Sequence, residues 1–203
     1  MRIKEIIINN DMEYNKFLKN INLYKSILYN NTFFVVKNNI HNKMLDYIIE
    51  GLNIKNRRKR IEYVYDKSCY FIDSKSIDKN ICGFKNGKCY IQRKLNNGMC
   101  NGCCRKCLYQ TDYGCSSKNL ACKLFNCSEV KSRYEVVSFD DLKILHLLSY
   151  KNQFIVKSDY FSMREDVLKD LYAYTFTYST IRVITRLIRN YILLSRKIKE
   201  NGL

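Results

Sequence analysis

All ten cysteines of the 203-residue chain fall between Cys69 and Cys127. The densest stretch reads Cys100-Asn-Gly-Cys103-Cys104-Arg-Lys-Cys107, with Cys82 and Cys89 before it and Cys115, Cys122 and Cys127 after it. Structural cysteines sit singly in cores as small hydrophobes, whereas thiols at this density pair as disulfides or hold a metal. The surrounding stretch also holds Gly83, Gly87, Gly98, Gly102 and Gly114. It has little apolar material for a core, so its order is expected to come from what the thiols bind.

The choice between disulfides and metal depends on compartment. Near the N-terminus the longest apolar run is Ile6-Ile7-Ile8, against the roughly 7–15 apolar residues of a signal peptide. The apolar stretch Ile181–Leu194 is broken by Arg182, Arg186 and Arg189, and a spanning helix needs about 20 mostly apolar residues. These features point to the cytoplasm, where thiols stay reduced and clustered cysteines ligate metals. Zinc is the expected ion. Cys-x2–4-Cys turns bring two thiolates onto one ion, and the chain offers Cys100-x2-Cys103, Cys104-x2-Cys107 and Cys122-x4-Cys127. Cys82-x6-Cys89 and Cys115-x6-Cys122 are wider pairs, and Cys69 is the outlying member of the set. Ten thiols fill two four-cysteine sites with two to spare.

An all-thiolate set suits iron–sulfur clusters as well, which leaves a redox or radical protein as the alternative, and a metal-chelating or interaction protein without a nucleic-acid role as a further one. Cys100-x3-Cys104-x2-Cys107 has the spacing of the radical S-adenosylmethionine fingerprint, but Lys106 stands where that family usually carries an aromatic residue. The doublet Cys103-Cys104 framed by Cys-x2-Cys spacing also resembles the bacterial cysteine-cluster proteins (YkgJ-like) described as zinc- or iron-chelating. That resemblance covers about Cys100 to Cys127. It implies ligand roles for Cys100, Cys103, Cys104 and Cys107, and by extension for Cys115, Cys122 and Cys127. That family places its doublet after spaced cysteines, whereas here the doublet is central.

The formal charge is +17. Two tetrathiolate sites would lower it to about +13, because ligating thiols deprotonate. Such a charge favours polyanions, nucleic acid first. The absence of Pro and Trp beside abundant Asn, Lys, Ile and Tyr is what AT-rich codons produce, so part of the charge is compositional. The strongest basic run is Arg57-Arg58-Lys59-Arg60, close to Tyr63 and Tyr65. Bases beside aromatics suit phosphate contact with base stacking. Arg105 and Lys106 add charge inside the cysteine cluster, and Arg182, Arg186, Arg189 and Arg196 are expected on one side of the last helix. No Gly-rich phosphate loop, nucleophile elbow or zincin pair is present, so enzymatic activity is left open. His41 and His146 lie away from the cysteines and are expected to be ordinary packing or surface residues.

The expected fold is α+β: a small mixed α/β segment over residues 1–66, a metal-organised cysteine module over 67–130, and a helical segment over 131–203, the first and last sharing one core if they pack together. Apolar spacing predicts helices over Asp11–Asn30 and Asn42–Leu52, the latter burying Leu45, Ile48, Ile49 and Leu52. Thr32–Val36 and Ile61–Tyr65 read as strands. Ser138-Phe-Asp-Asp141 and Ser162-Met-Arg-Glu165 resemble capping boxes that would start helices over 139–150 and 163–173. A final helix over 178–199 is expected to bury Val183, Ile184, Leu187, Ile188, Tyr191 and Leu194.

Overall fold

A computed structural model describes residues 2–38, 42–75, 84–85, 88–89, 110–111, 114–115, 119–173 and 176–200. The chain divides into two compact units, one of Met1–Ser68 with Asp140–Gln153 and one of Cys69–Phe139 with Phe154–Leu203. The fold is mixed α+β and mostly helical, with one small parallel sheet. Among the described residues, no helix is long and apolar enough to cross a membrane.

In the first unit, strand β1 (Arg2–Ile8) pairs in parallel with β2 (Thr32–Asn38), in register from Arg2↔Thr32 to Ile8↔Asn38. Parallel strands need a crossover, supplied here by α1 (Asp11–Lys19), α2 (Ile21–Tyr24) and a 3₁₀ turn at Ile27–Tyr29. The single helix expected over Asp11–Asn30 is thus broken into three pieces. Alternation puts Ile6, Ile8, Thr32 and Phe34 on the buried face, and leaves Ile3, Ile7, Phe33 and Val35 exposed on the other. β2 is longer than the expected Thr32–Val36. Its outer edge is met by an amide instead of a third strand: Phe34 N donates to Asn53 Oδ1 at 2.8 Å, and Asn53 Nδ2 donates to Phe34 O at 2.9 Å.

Asn53 ends α3 (Lys43–Asn53), which buries Leu45, Ile48, Ile49 and Leu52 as its spacing requires. Asn42 caps it by accepting from Met44 N at 2.9 Å. Gly51 is there because of close approach: an ideal Cβ would lie 2.4 Å from Leu147 Cδ1. Leu147 belongs to a 3₁₀ turn over Lys143–Leu147, preceded by another over Phe139–Asp141. The α-helix expected over 139–150 does not form. Lys25 Nζ donates to the carbonyls of His146 (2.6 Å) and Leu148 (3.3 Å), which a continuous helix would offer to its own amides.

Ile61–Tyr65, expected as a strand, lies within helix α4 (Arg57–Lys75). Ile61, Val64, Tyr65, Ser68, Cys69 and Ile72 are its buried side, a helical spacing that extends well past the five residues on which the strand was read.

The second unit holds two short hairpins, Phe84–Lys85 with Lys88–Cys89 and Gln110–Thr111 with Gly114–Cys115. It also contains α5 (Leu120–Leu124), α6 (Ser128–Arg133), α8 (Arg164–Tyr172) and α9 (Phe176–Glu200), with the end of α7 (Tyr150–Ser158). α8 matches the expected helix, but Ser162 does not cap it. Its Oγ donates to Asp159 Oδ1 at 2.5 Å, and Met163 occupies the N-cap without a side-chain bond.

Candidate nucleic-acid interface and metal-ligand segment

Arg57, Arg58, Lys59 and Arg60 form the first turn of α4, where Asn56 accepts from Lys59 N through Oδ1 at 3.1 Å and from Arg60 N through its carbonyl at 2.9 Å. Four cations at a helix N-terminus oppose the macrodipole, which favours carboxylates there. The positive potential is raised further by two lysines that local sequence did not single out. Lys55 Nζ donates to Thr32 O at 2.5 Å and lies 5.4 Å from the Phe34 ring centroid. Lys25 is held on the carbonyls of His146 and Leu148. Burial and then the Arg60 charge pull the Lys25 ammonium down to about 8, and the same two causes lower Lys55. Arg60 is itself lowered by burial and by Arg57. Arg60 thus disfavours the charged forms of Lys25 and Lys55, as Arg57 does that of Arg60, and an anion would relieve that repulsion.

The aromatic half of the expectation is corrected. Tyr65 is fully buried and cannot stack on a base. Tyr63 is half-buried, donates its hydroxyl to Glu50, and has Lys67 Nζ 5.6 Å from its ring centroid. Burial and the Glu50 hydrogen bond hold its phenol above the usual tyrosine range.

Of the cysteines, Cys82, Cys100, Cys103, Cys104 and Cys107 lie outside the described residues, as do Arg105, Lys106 and His41. Cys89 and Cys115 each end a hairpin, in register with Phe84 and Gln110. Cys69 is buried on α4. Cys127 is the N-cap residue of α6, without a side-chain cap bond. Cys122 lies in α5, and its Sγ accepts from Phe161 N at 3.3 Å. Among the described residues no three of His, Cys, Asp and Glu converge into a metal-sized group.

The turn that donates to Cys122 is unusually well fixed. Phe161 has φ 59°, a left-handed conformation that a bulky residue adopts only when its surroundings impose it. Asn119 Nδ2 donates to Asp159 O (2.7 Å) and Ser162 O (3.0 Å), while its Oδ1 accepts from Cys122 N (2.8 Å). Asn190 Nδ2 donates to Phe161 O at 2.7 Å. Beneath this turn Arg186 donates to both Asp159 and Asp170, and Arg182 reaches Asp170 at 3.0 Å. Arg182 and Arg186 are thus committed to carboxylates, and only Arg189 and Arg196 of the four expected together stand exposed. Local sequence carries no cue to this buried network, because Asp159 lies in a turn, Asp170 on α8 and Arg186 on α9.

No family model matches the chain, and no curated protein or solved structure matches it.

Proposed function

We propose that this chain is a cytoplasmic thiolate metal-binding protein. Its Cys82–Cys127 segment holds structural zinc, and its α4 N-terminus contacts nucleic-acid phosphates. The observation that carries the nucleic-acid half is the cationic first turn of α4, with Lys25 and Lys55 near enough for the Arg60 charge to lower both ammoniums. The metal half is supported by nine thiols within Cys82–Cys127, six of them in Cys-x2–4-Cys pairs, and by the two hairpins, which set Cys89 beside Phe84 and Cys115 beside Gln110. The glycines nearby allow the tight turns that thiolate loops need. Bound zinc would fold the segment by cross-linking it, without redox chemistry.

Anaerobic purification followed by metal analysis and an absorption spectrum tests this reading. The expected result is about two zinc ions per chain and a colourless sample. Native protein without metal and with titratable thiols, or with disulfides in the segment, would exclude it. A brown sample with absorption at about 400 nm and matching sulfide would assign an iron–sulfur protein instead. The phosphate contact predicts duplex binding that weakens steeply with salt.

A further inference from the structure

The last helix was expected to bury one apolar face, yet its apolar residues face two ways. Val183 is buried and Leu187 half-buried, while Ile181, Ile184, Ile188, Tyr191 and Ile192 are 58, 51, 56, 62 and 45% exposed. At 100° per residue these five span an arc of about 100°. Exposed Arg196 and Arg189 follow about 40–60° beyond Ile192 on the same helix. Arg182 and Arg186 turn inward to Asp170 and Asp159, so the inner charges are balanced, whereas among the described residues no acid pairs with the outer ones. Across Phe176–Glu200 there are six Lys or Arg residues and one acid, Glu200.

We propose that this face of α9 docks on an anionic lipid surface, lying in the headgroup plane with Arg189 and Arg196 on lipid phosphates or carboxylates. An exposed apolar arc flanked by arginines is the pattern of interfacial helices, and the span from Ile181 to Arg196 gives a contact about 22 Å long. A second copy fits the face less well. Its pairing would bring two +17 chains together over one helix stripe, where a standard interface takes about 800 Å² from each partner. Nucleic acid would use the arginines and leave five large apolar side chains in water. The inference is independent of the metal reading and of the α4 phosphate contact.

Flotation of the full chain with vesicles tests it, comparing phosphatidylserine–phosphatidylcholine mixtures with phosphatidylcholine alone. Binding is expected at least about tenfold tighter on the anionic vesicles and weaker in high salt. Ile184→Glu with Ile188→Glu should lower vesicle affinity at least about tenfold while leaving the thermal midpoint and helix content unchanged, because both side chains are already in water. Arg189→Gln with Arg196→Gln should remove most of the preference for anionic lipid. Absence of vesicle binding, or retention of it in the Ile184→Glu, Ile188→Glu variant, overturns the proposal. A concentration-dependent dimer abolished by that variant, without vesicle binding, would overturn it in favour of a second copy. Loss of duplex binding in the arginine variant alone, again without vesicle binding, would overturn it in favour of nucleic acid.

Discussion

Arg186 shares one guanidinium between Asp159 and Asp170, both of which are essentially inaccessible to solvent. Burial raises the Asp159 carboxyl above its usual value, with Ser162 and Arg186 pulling it back. A carboxyl raised on folding contributes stability that is full below its unfolded pKa and is lost as pH rises through the native one. Arg186 offsets that loss at neutral pH. Arg186→Met should therefore destabilise by about 3–5 kcal/mol near pH 7, because it leaves two buried carboxylates without their shared cation. Urea unfolding should show the deficit shrinking between about pH 7 and pH 4 as the raised Asp159 carboxyl takes up its proton. An equal deficit at both pH values would mean that packing, and not charge, is what the arginine supplies.

Lys25 gives the opposite sign. Its native ammonium is lowered to about 8 from 10.5, so between those values the unfolded chain holds the proton and the folded chain does not. Ligand-free stability should rise with pH across that window. A bound phosphate chain reverses the preference, since the anion favours the charged ammonium. Polyanion affinity should then fall as pH climbs through about 8, and Lys25→Arg, which stays charged, should flatten the profile. Dissociation constants at about pH 7 and 9 decide the matter; a flat profile in the native chain removes Lys25 from the contact.

Among the elements, α4 carries the clearest prediction and the clearest lesson. Arg58 and Lys59 are exposed on its first turn, whereas Arg57 and Arg60 are partly covered. Arg58→Ala with Lys59→Ala should flatten the log–log salt dependence of duplex binding by up to about 1.8, at about 0.9 per phosphate lost. Metal content and thermal stability should not move, and lost binding with an unchanged slope would point to misfolding. The same helix shows what was readable beforehand. Ile61-Glu62-Tyr63-Val64-Tyr65 alternates well enough to pass for a strand, and only burial continuing through Ser68, Cys69 and Ile72 reveals a helix. α3 was legible because its apolar period is unbroken over a full helix length. In α9 the extent was legible and the buried face was not. Ile184, Ile188 and Tyr191 are as apolar as Val183, and nothing local tells which side meets Asp159 and Asp170. The basic run was visible as four adjacent letters, but Lys25 joins it only through the fold.

At the level of the whole molecule, the cysteine density remains the most informative trait of the sequence, and the described residues add hairpins and a fixed turn beside Cys122 to it. The first unit, though, is discontinuous: its core needs Ile144, Leu145, Leu147 and Leu148 from the Asp140–Gln153 return. On the ribosome those residues arrive only after 69–139 have been made, a delay of roughly 4–14 s at about 5–20 residues/s. Every cysteine is joined to the growing chain during that interval. The order of synthesis thus completes the set of cysteines before the last strip of the first core is made. Until then β1, β2 and α3 present their unfinished apolar side to the cell, where holdase chaperones would find it.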